Sequence, residues 1–282
     1  MSNDGLNATM PETVILCGGR GTRLGTLTDV VPKPLVHVGG RPILWHIMAH
    51  YAQYGLKRFV LCLGYKGEMI RDYFLNYHVQ NNDFTVCLGE GAPRVIPHLR
   101  DVVDWEVTCA DTGLAAQGGA RIRRVEQYVH SPYFLCTYGD GVSDVNLHDL
   151  IAFHRAHGRI ATVTGVLPPA RFGELVLGSD DTRVVEFHEK PQLTPHTGAR
   201  YINGGFFVFN RTVFDYLSYD DRCTLETDAL ERIAADDQLR VFKHDGLWQC
   251  MDTPTDRDRL DALLSSASFP WCRSMNRLPP RH

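Results

Sequence analysis

Val14-Ile15-Leu16-Cys17-Gly18-Gly19-Arg20-Gly21-Thr22-Arg23-Leu24, with Pro32-Lys33-Pro34 a short way beyond, is the stretch on which the reading of this chain turns. Three apolar residues, two of them β-branched, stop at Gly18, Gly19 and Gly21, which is how a buried strand runs into a tight turn. A loop at the carboxyl end of a strand is where open α/β sheets place their ligands. Glycines there let backbone N–H groups wrap an anion, and Arg20, Arg23 and Lys33 supply positive charge. The predicted ligand therefore carries phosphates; the plainer alternative is a sharp turn with arginines at the surface. Two nucleotide signatures are excluded. Leu24 stands where a dinucleotide fingerprint has its third glycine, and no Gly-Lys-Ser/Thr follows as a P-loop requires.

The strand-then-loop pattern recurs downstream. Pro42 leads into a stretch that sets Ile43, Ile47 and Tyr51 on one helical face before Gly55. Residues 59–63 read as a second buried strand, 64–67 as a turn and 69–74 as a helix. Two strand-loop-helix units in a row predict a parallel sheet with helical crossovers. Residues 84–88 and 105–110 read as shorter strands, with 89–104 irregular between them. Gly118-Gly119 precedes a basic helical segment over 120–125, which is either a second anion site or a solvated helix start.

Tyr133-Phe-Leu-Cys-Thr-Tyr138 is the next central strand, and it ends in Gly139-Asp140-Gly141. An aspartate between two glycines there packs poorly and sits where the sheet opens toward ligand. Beside phosphates its carboxylate is explained by Mg²⁺, which takes a few protein oxygens and bridges to substrate phosphate; an ordinary turn residue is the alternative. Asn146 is predicted to cap a helix over 147–157, followed by a strand over 160–166. Beyond Pro168, strands over 172–177, 184–188 and 201–209 predict a mixed extension of the sheet. Asn203-Gly204-Gly205 inside the last of these reads as close backbone approach to a ligand. Helices over 212–217 and 226–235, a strand over 239–243, a segment ending at Asp252-Thr253 and a helix over 254–264 complete the chain. The tail with Trp271 is expected to lie over a neighbour, to fray, or to fold back on its own helix.

At 282 residues the chain can bury a full core. The expected organisation is a disordered leader over 1–11, one domain over 12–264 whose halves meet near 166, and a tail over 265–282. Its fold class is α/β, a Rossmann-like, mainly parallel mixed sheet flanked by helices, with a small β-rich extension. A net charge of -4 offers no basic field for nucleic acid. No run of 18 apolar residues suggests a membrane span, and the polar, acidic start is not that of a signal peptide, so a cytoplasmic protein is expected. Eight cysteines without a C-x-x-C pair and thirteen histidines without H-E-x-x-H spacing argue against structural zinc or a disulfide framework. Cys17, Cys62, Cys87 and Cys136 lie in apolar runs and are expected to act as core hydrophobes.

Gly18–Leu24 with Pro32-Lys33-Pro34 resembles the signature loop of the sugar-1-phosphate nucleotidylyltransferases. More narrowly, the stretches over 42–48, 62–67, 138–142, 202–207 and 248–253 resemble the glucose-1-phosphate cytidylyltransferases, and the likeness runs from Val14 to Leu264. Such enzymes join a nucleoside triphosphate to a sugar 1-phosphate and release pyrophosphate. The resemblance implies the nucleotide-diphospho-sugar transferase fold and catalytic roles for Arg23, Lys33 and Asp140. It implies nucleotide contacts from Leu16, Gly18, Gly19, Gly21, Thr22 and Arg23, joined by Gln117, Gly118 and Asp140. Tyr138, Gly173, Glu189, Lys190, Asn203 and Gly204 would face the sugar phosphate, and Asp140 with Asp252 would hold one or two Mg²⁺ ions. CTP and α-D-glucose 1-phosphate are the implied substrates, in a cytoplasmic homo-oligomer that feeds CDP-sugar and surface-polysaccharide synthesis. Thymidylyl, uridylyl or guanylyl transfer, a heptose or pentose acceptor, and a non-catalytic nucleotide-sugar-binding regulator are the alternatives. The sequence departs from the cytidylyltransferase pattern at Arg20, usually hydrophobic; at Gln117-Gly-Gly-Ala-Arg121, usually Met-Thr-Gly-Gly-Arg; and in a longer loop over 192–201.

Overall fold

Strands that bury both faces read as unbroken apolar runs, and three of them, ended by glycine, set the centre of this fold. A computed structural model describes residues 10–89, 91–99, 102–167, 174–177, 184–188, 201–265 and 271. One sheet of seven strands comprises β1 (Thr13–Leu16), β2 (Arg58–Leu63), β3 (Glu106–Asp111), β4 (Tyr133–Tyr138), β5 (Ala161–Val166), β6 (Ile202–Asn210) and β7 (Leu239–His244). Their spatial order is β7-β5-β6-β4-β1-β2-β3. Every neighbouring pair is parallel except those made by β6, which runs against both β4 and β5. The chain steps outward from β1 to β2 and β3, then returns to lay β4 on the other side of β1. Leu16 and Tyr138, paired across that reversal, mark the crevice where such sheets bind ligands.

Side chains alternate across the sheet into two cores. Ile15, Leu61, Leu135, Phe206 and Val208 enter one, while Val14, Val60, Phe134, Cys136, Phe207 and Phe209 enter the other. Besides the short helical turns Leu27–Val30 and Tyr77–Asn81, the helices among the described residues include α1 (Ile43–Ala52), α2 (Gly67–Leu75), α3 (Gly118–Arg124), α4 (Leu147–His157), α5 (Glu231–Ala235) and α6 (Pro254–Ser265). Residues of α1, α2, α4 and α6 close the first core, and those of α3 and α5 the second. The α1 helix is buried continuously from Ile43 to Tyr51, beyond the single face its spacing predicts. Each of the five fully packed phenylalanines among the described residues, Phe59, Phe134, Phe206, Phe207 and Phe209, contributes about 1.5–3 kcal/mol relative to exposure. Asn146 caps α4 as predicted, accepting from the N–H groups of His148 at 3.0 Å and Asp149 at 3.3 Å, and Gly158 ends it at φ 63°.

Three expectations change. The strand near Phe84 pairs with Arg94–His98 in a two-stranded hairpin outside the main sheet. A ribbon without a second layer cannot bury alternate residues, so Cys87 is exposed rather than in the core. Trp271 is 4% exposed and packs edge-on to His50 of α1, 4.8 Å between ring centres. It covers its own domain, which selects the fold-back alternative over a contact for a neighbour. The helix expected over 226–235 opens as a π-helical turn, Glu226–Leu230, before α5. A small antiparallel pair, Glu174–Leu177 with Val184–His188, forms the β extension. No helix among the described residues is long and apolar enough to cross a membrane.

Candidate active site

The loop after β1 is fixed from several sides. Gly18 offers its carbonyl to the Tyr65 N–H at 3.1 Å and to Nη2 of Arg121 at 3.0 Å. Gly21 turns left-handed at φ 63°, where an added Cβ would press on Lys33 Cβ at 3.0 Å. Thr22–Leu24 is a short 3-10 turn that leaves Arg23 pointing outward. Pro32, at φ -65°, starts another over Lys33–Leu35 and sends the lysine inward.

Lys33 is 7% exposed, and its Nζ donates to Asp140 Oδ2 at 2.6 Å and Asp252 Oδ1 at 2.9 Å. Arg23 Nη1 reaches Asp252 Oδ2 at 3.0 Å. Burial depresses the Lys33 ammonium, but Asp140 and then Asp252 outweigh it, and the pKa is raised from its ordinary value. Asp140 follows β4, and Asp252 follows the short strand Trp248–Cys250. That strand pairs antiparallel with Gly141–Ser143, and the Met251 N–H donates to the Asp140 carbonyl at 2.8 Å, so the backbone itself sets the two carboxylates side by side. No group of three or more His, Cys, Asp or Glu converges among the described residues. Two hard oxygen donors at one point suit an ion that fills its shell with water and phosphate, as Mg²⁺ does.

Two cavities meet at this knot. One, of about 440 Å³, takes in Leu16, Gly18, Gly19, Gly21, Thr22 and Arg23, and continues past Lys33, Gln117, Gly118 and Asp140. The other, of about 330 Å³, is walled by Asn203, Gly204, Trp248 and Asp252. Arg23, Tyr138, Asp140 and Glu226 belong to both. All the nucleotide-side candidates and the pair Asp140 and Asp252 are thus brought together, with Tyr138, Asn203 and Gly204 beside them. Gly173, Glu189 and Lys190 lie outside the described residues. Arg20 is not part of either wall; its guanidinium lies over the Tyr65 ring, 5.8 Å from the centroid, because the exposed loop turns it outward.

The basic segment after Gly118 is not a second anion site. Arg121 is 4% exposed, and its guanidinium donates to the carbonyls of Gly18 (3.0 Å), Leu63 (3.0 Å) and Gly113 (2.8 Å) and to Thr112 Oγ1 (2.8 Å). A Cβ at Gly18 would fall 2.1 Å from Arg121 Nη1, and one at Gly64 2.5 Å from it, so those glycines make room for the arginine. Arg123 pairs with Glu126, and Arg124 with Asp221. The tight approach at Gly204 and Gly205 likewise comes from the protein: a Cβ at Gly205 (φ 78°) would meet Tyr138 Cδ2 at 2.4 Å, and one at Gly204 would meet Val166 Cγ1 at 2.8 Å. Trp248 Nε1 donates to the Gly204 carbonyl at 2.7 Å. Glu226 stands in none of the quoted motifs, and the places that Arg121 and Trp248 take in the cavity walls are revealed only by their burial and neighbours.

A family profile described as "Nucleotidyl transferase" matches residues 12–262. The glucose-1-phosphate cytidylyltransferases of Salmonella typhimurium (strain LT2) and Salmonella typhi are each 44% identical to the chain over 261 residues, spanning 92% of it and 98% of their own length. Among solved structures, the inositol-1-phosphate CTP transferase from T. maritima is similar in fold, with a TM-score of 0.61 at 18% identity, covering 93% of this chain and 97% of that one.

Proposed function

The chain belongs to the nucleotidyl transferase family, and from that premise we propose that it joins CTP to a sugar 1-phosphate, foremost α-D-glucose 1-phosphate, to give a CDP-sugar and pyrophosphate. The observation that carries this reading is the buried Lys33 ammonium, held by Asp140 and Asp252 at the seam of two abutting cavities. One cavity suits the triphosphate, the other the sugar phosphate.

The attacking oxygen of a sugar 1-phosphate is already anionic at neutral pH, so neither a nucleophilic side chain nor a strong base is needed. It forms a bond to the α-phosphorus, and the bond to pyrophosphate breaks. What the protein supplies is alignment of two anions and compensation of their charge. The backbone of Gly18, Gly19 and Gly21 and the Thr22 hydroxyl hold the nucleotide, Arg23 steadies the outer phosphates, and Lys33 serves the α-phosphoryl oxygens. Asp140 and Asp252 would hold Mg²⁺, which when bound neutralises the reacting phosphates. Gln117, an amide with both donors and an acceptor, faces the base. Tyr138, Asn203 and Gly204 receive the sugar, together with Gly173, Glu189 and Lys190.

The family's homo-oligomer is part of the same proposal. It is supported by Phe84, Val86 and Val95, exposed together on one face of the hairpin. So are a cytoplasmic setting and the lack of a nucleic-acid partner, in keeping with a net charge of -4. Pyrophosphate release from CTP, UTP, dTTP and GTP, each with glucose 1-phosphate and magnesium, tests the assignment. CTP is expected to lead in kcat/KM by roughly tenfold or more, the size of one discriminating hydrogen bond. Failure to form CDP-glucose, with turnover of another triphosphate, reassigns the base; failure with every triphosphate and sugar phosphate ends the proposal.

A further inference from the structure

Glu226 is the one carboxylate on the shared wall of the two cavities for which phosphate transfer provides no task. It opens the π-helical turn Glu226–Leu230, on a segment bound to the nucleotide wall by the Gln117 N–H to Asp221 carbonyl bond (2.8 Å) and the Ala120 N–H to Cys223 carbonyl bond (3.0 Å). The Tyr138 hydroxyl donates to Glu226 Oε1 at 2.5 Å and accepts from Asn203 Nδ2 at 3.2 Å. A phenol has one proton to give, and this one is committed. Burial first, and the carboxylate second, raise the Tyr138 pKa well above the usual range, so it stays a neutral donor. Among the described residues, no cation is in ion-pair range of Glu226.

A carboxylate without a cation, placed between seats for two phosphorylated substrates, repels both unless what touches it donates hydrogen bonds. Neutral sugar rings donate them. Two neighbouring hydroxyls match the two oxygens of a carboxylate, the pairing by which an acidic side chain holds a ribose diol in dinucleotide sites. We propose that Glu226 determines specificity by accepting hydrogen bonds from the hydroxyls of the neutral ring seated where the cavities join, whether the ribose of the nucleotide or the hexose of the sugar phosphate. Tyr138 aims the carboxylate and Asn203 aims Tyr138. The inference rests on the function proposed above, and its test separates the two.

Dissociation constants of the full chain and of Glu226→Gln are measured by titration for CTP against 2′-deoxy-CTP, and for glucose 1-phosphate against its 2-, 3- and 4-deoxy analogues. Nucleotide-sugar formation is followed in parallel. The wild-type protein is expected to favour the hydroxylated ligand by on the order of tenfold or more in one arm, the scale of a hydrogen bond to a charged group. Glu226→Gln is expected to narrow that ratio to about twofold or threefold in the same arm. Loss of discrimination in the ribose arm assigns the ring to the nucleotide, and loss in the hexose arm to the acceptor. Tyr138→Phe, which keeps the carboxylate but removes its guide, should fall between, while a purely structural effect would weaken hydroxyl and deoxy ligands alike. Ratios unchanged by Glu226→Gln in both arms, or a wild-type protein indifferent to every hydroxyl, overturn the inference even if CDP-glucose is made. A wild-type protein that discriminates yet makes no nucleotide sugar overturns the function instead.

Discussion

Replacing Lys33 by methionine asks whether the seam of the site is a knot of charge. The ammonium is 7% exposed and sits 2.6 Å from Asp140 and 2.9 Å from Asp252. Lys33→Met keeps the length of the stem and removes the charge, leaving two carboxylates facing each other with Arg23, its side chain 74% exposed, as an offset among the described residues. Removing one partner of a buried pair costs roughly 3–5 kcal/mol. The Asp140 side chain is 30% exposed, so water screens part of the repulsion, and the expected loss is about 2–3 kcal/mol, or roughly 5–10 °C in Tm for a domain of this size. Magnesium should return most of that loss by binding the freed oxygens, a gain of about 2.7 kcal/mol at a hundred times its Kd. The wild-type protein, in which Lys33 competes for those oxygens, should gain less.

The assay is urea unfolding of both proteins followed by tryptophan fluorescence, in EDTA and in magnesium. Because the folded pKa of Lys33 is raised, its contribution is complete below the ordinary lysine value of about 10.4 and is lost only as pH climbs through the higher folded value. The difference between the two proteins should therefore be flat from about pH 6 to about pH 9, below that lysine value. A variant as stable as the parent in EDTA, or equal stabilisation of both by magnesium, refutes the placement of Lys33 between the carboxylates.

Other outcomes test other parts of the site and core. Asp140→Asn should lower kcat for pyrophosphate release on the order of 10²-fold; a variant at full rate removes Asp140 from the metal-holding role. Gly18→Ala places a methyl 2.1 Å from Arg121 Nη1 and should raise KM for the nucleotide by roughly tenfold, with KM for the sugar phosphate little changed. Adding Arg121→Ala should make the combined loss smaller than the sum of the two, and strict additivity counts against the steric account. His46 and His50 are buried, and desolvation lowers each pKa from 6.5 to about 4. The unfolded imidazoles take up protons first, so stability is full above about pH 6.5 and falls toward pH 4, by up to about 1.4 kcal/mol per pH unit for each. Urea midpoints at about pH 7 and about pH 5, on either side of that unfolded value, measure this, and a flat profile shows that the imidazoles are not held neutral.

Most of the sheet could be read from the chain because β1, β2 and β4 are buried on both sides, which leaves apolar runs with glycine at their ends. The direction of β6 could not. Whether a strand runs with or against its neighbours depends on pairings such as Phe207 with Cys136, far apart in sequence, and no local pattern encodes it. The hairpin strand Arg94–His98 escaped notice for a different reason: exposed on both faces, it lacks the alternation that burial imposes. Arg121 shows the limit of reading charge by residue type. Three basic residues near Gly118 suggest an anion, but it takes the burial of one guanidinium among backbone carbonyls to show that its charge works inward on the Gly18 loop.

The candidate residue types were legible, and their mutual contact was not, since Lys33 and Asp252 are 219 positions apart. That contact changes the electrostatic meaning of the site. Arg23, Lys33 and Arg121 are the cations on the described walls of the two cavities, and Asp140, Asp252 and Glu226 are the anions. Three against three leaves the walls near neutrality, so the lysine and arginine that sequence reading casts as phosphate binders already have partners. A triphosphate and a sugar phosphate add several negative charges to that balance, which the protein's own side chains cannot cancel while they cancel one another. Charge compensation would then come with the substrates, from a divalent ion that Asp140 and Asp252 would hold, leaving Lys33 to serve the α-phosphoryl group. On this account the two carboxylates do not need a third protein ligand. They need to be held in place without the ion, and the Lys33 ammonium does that.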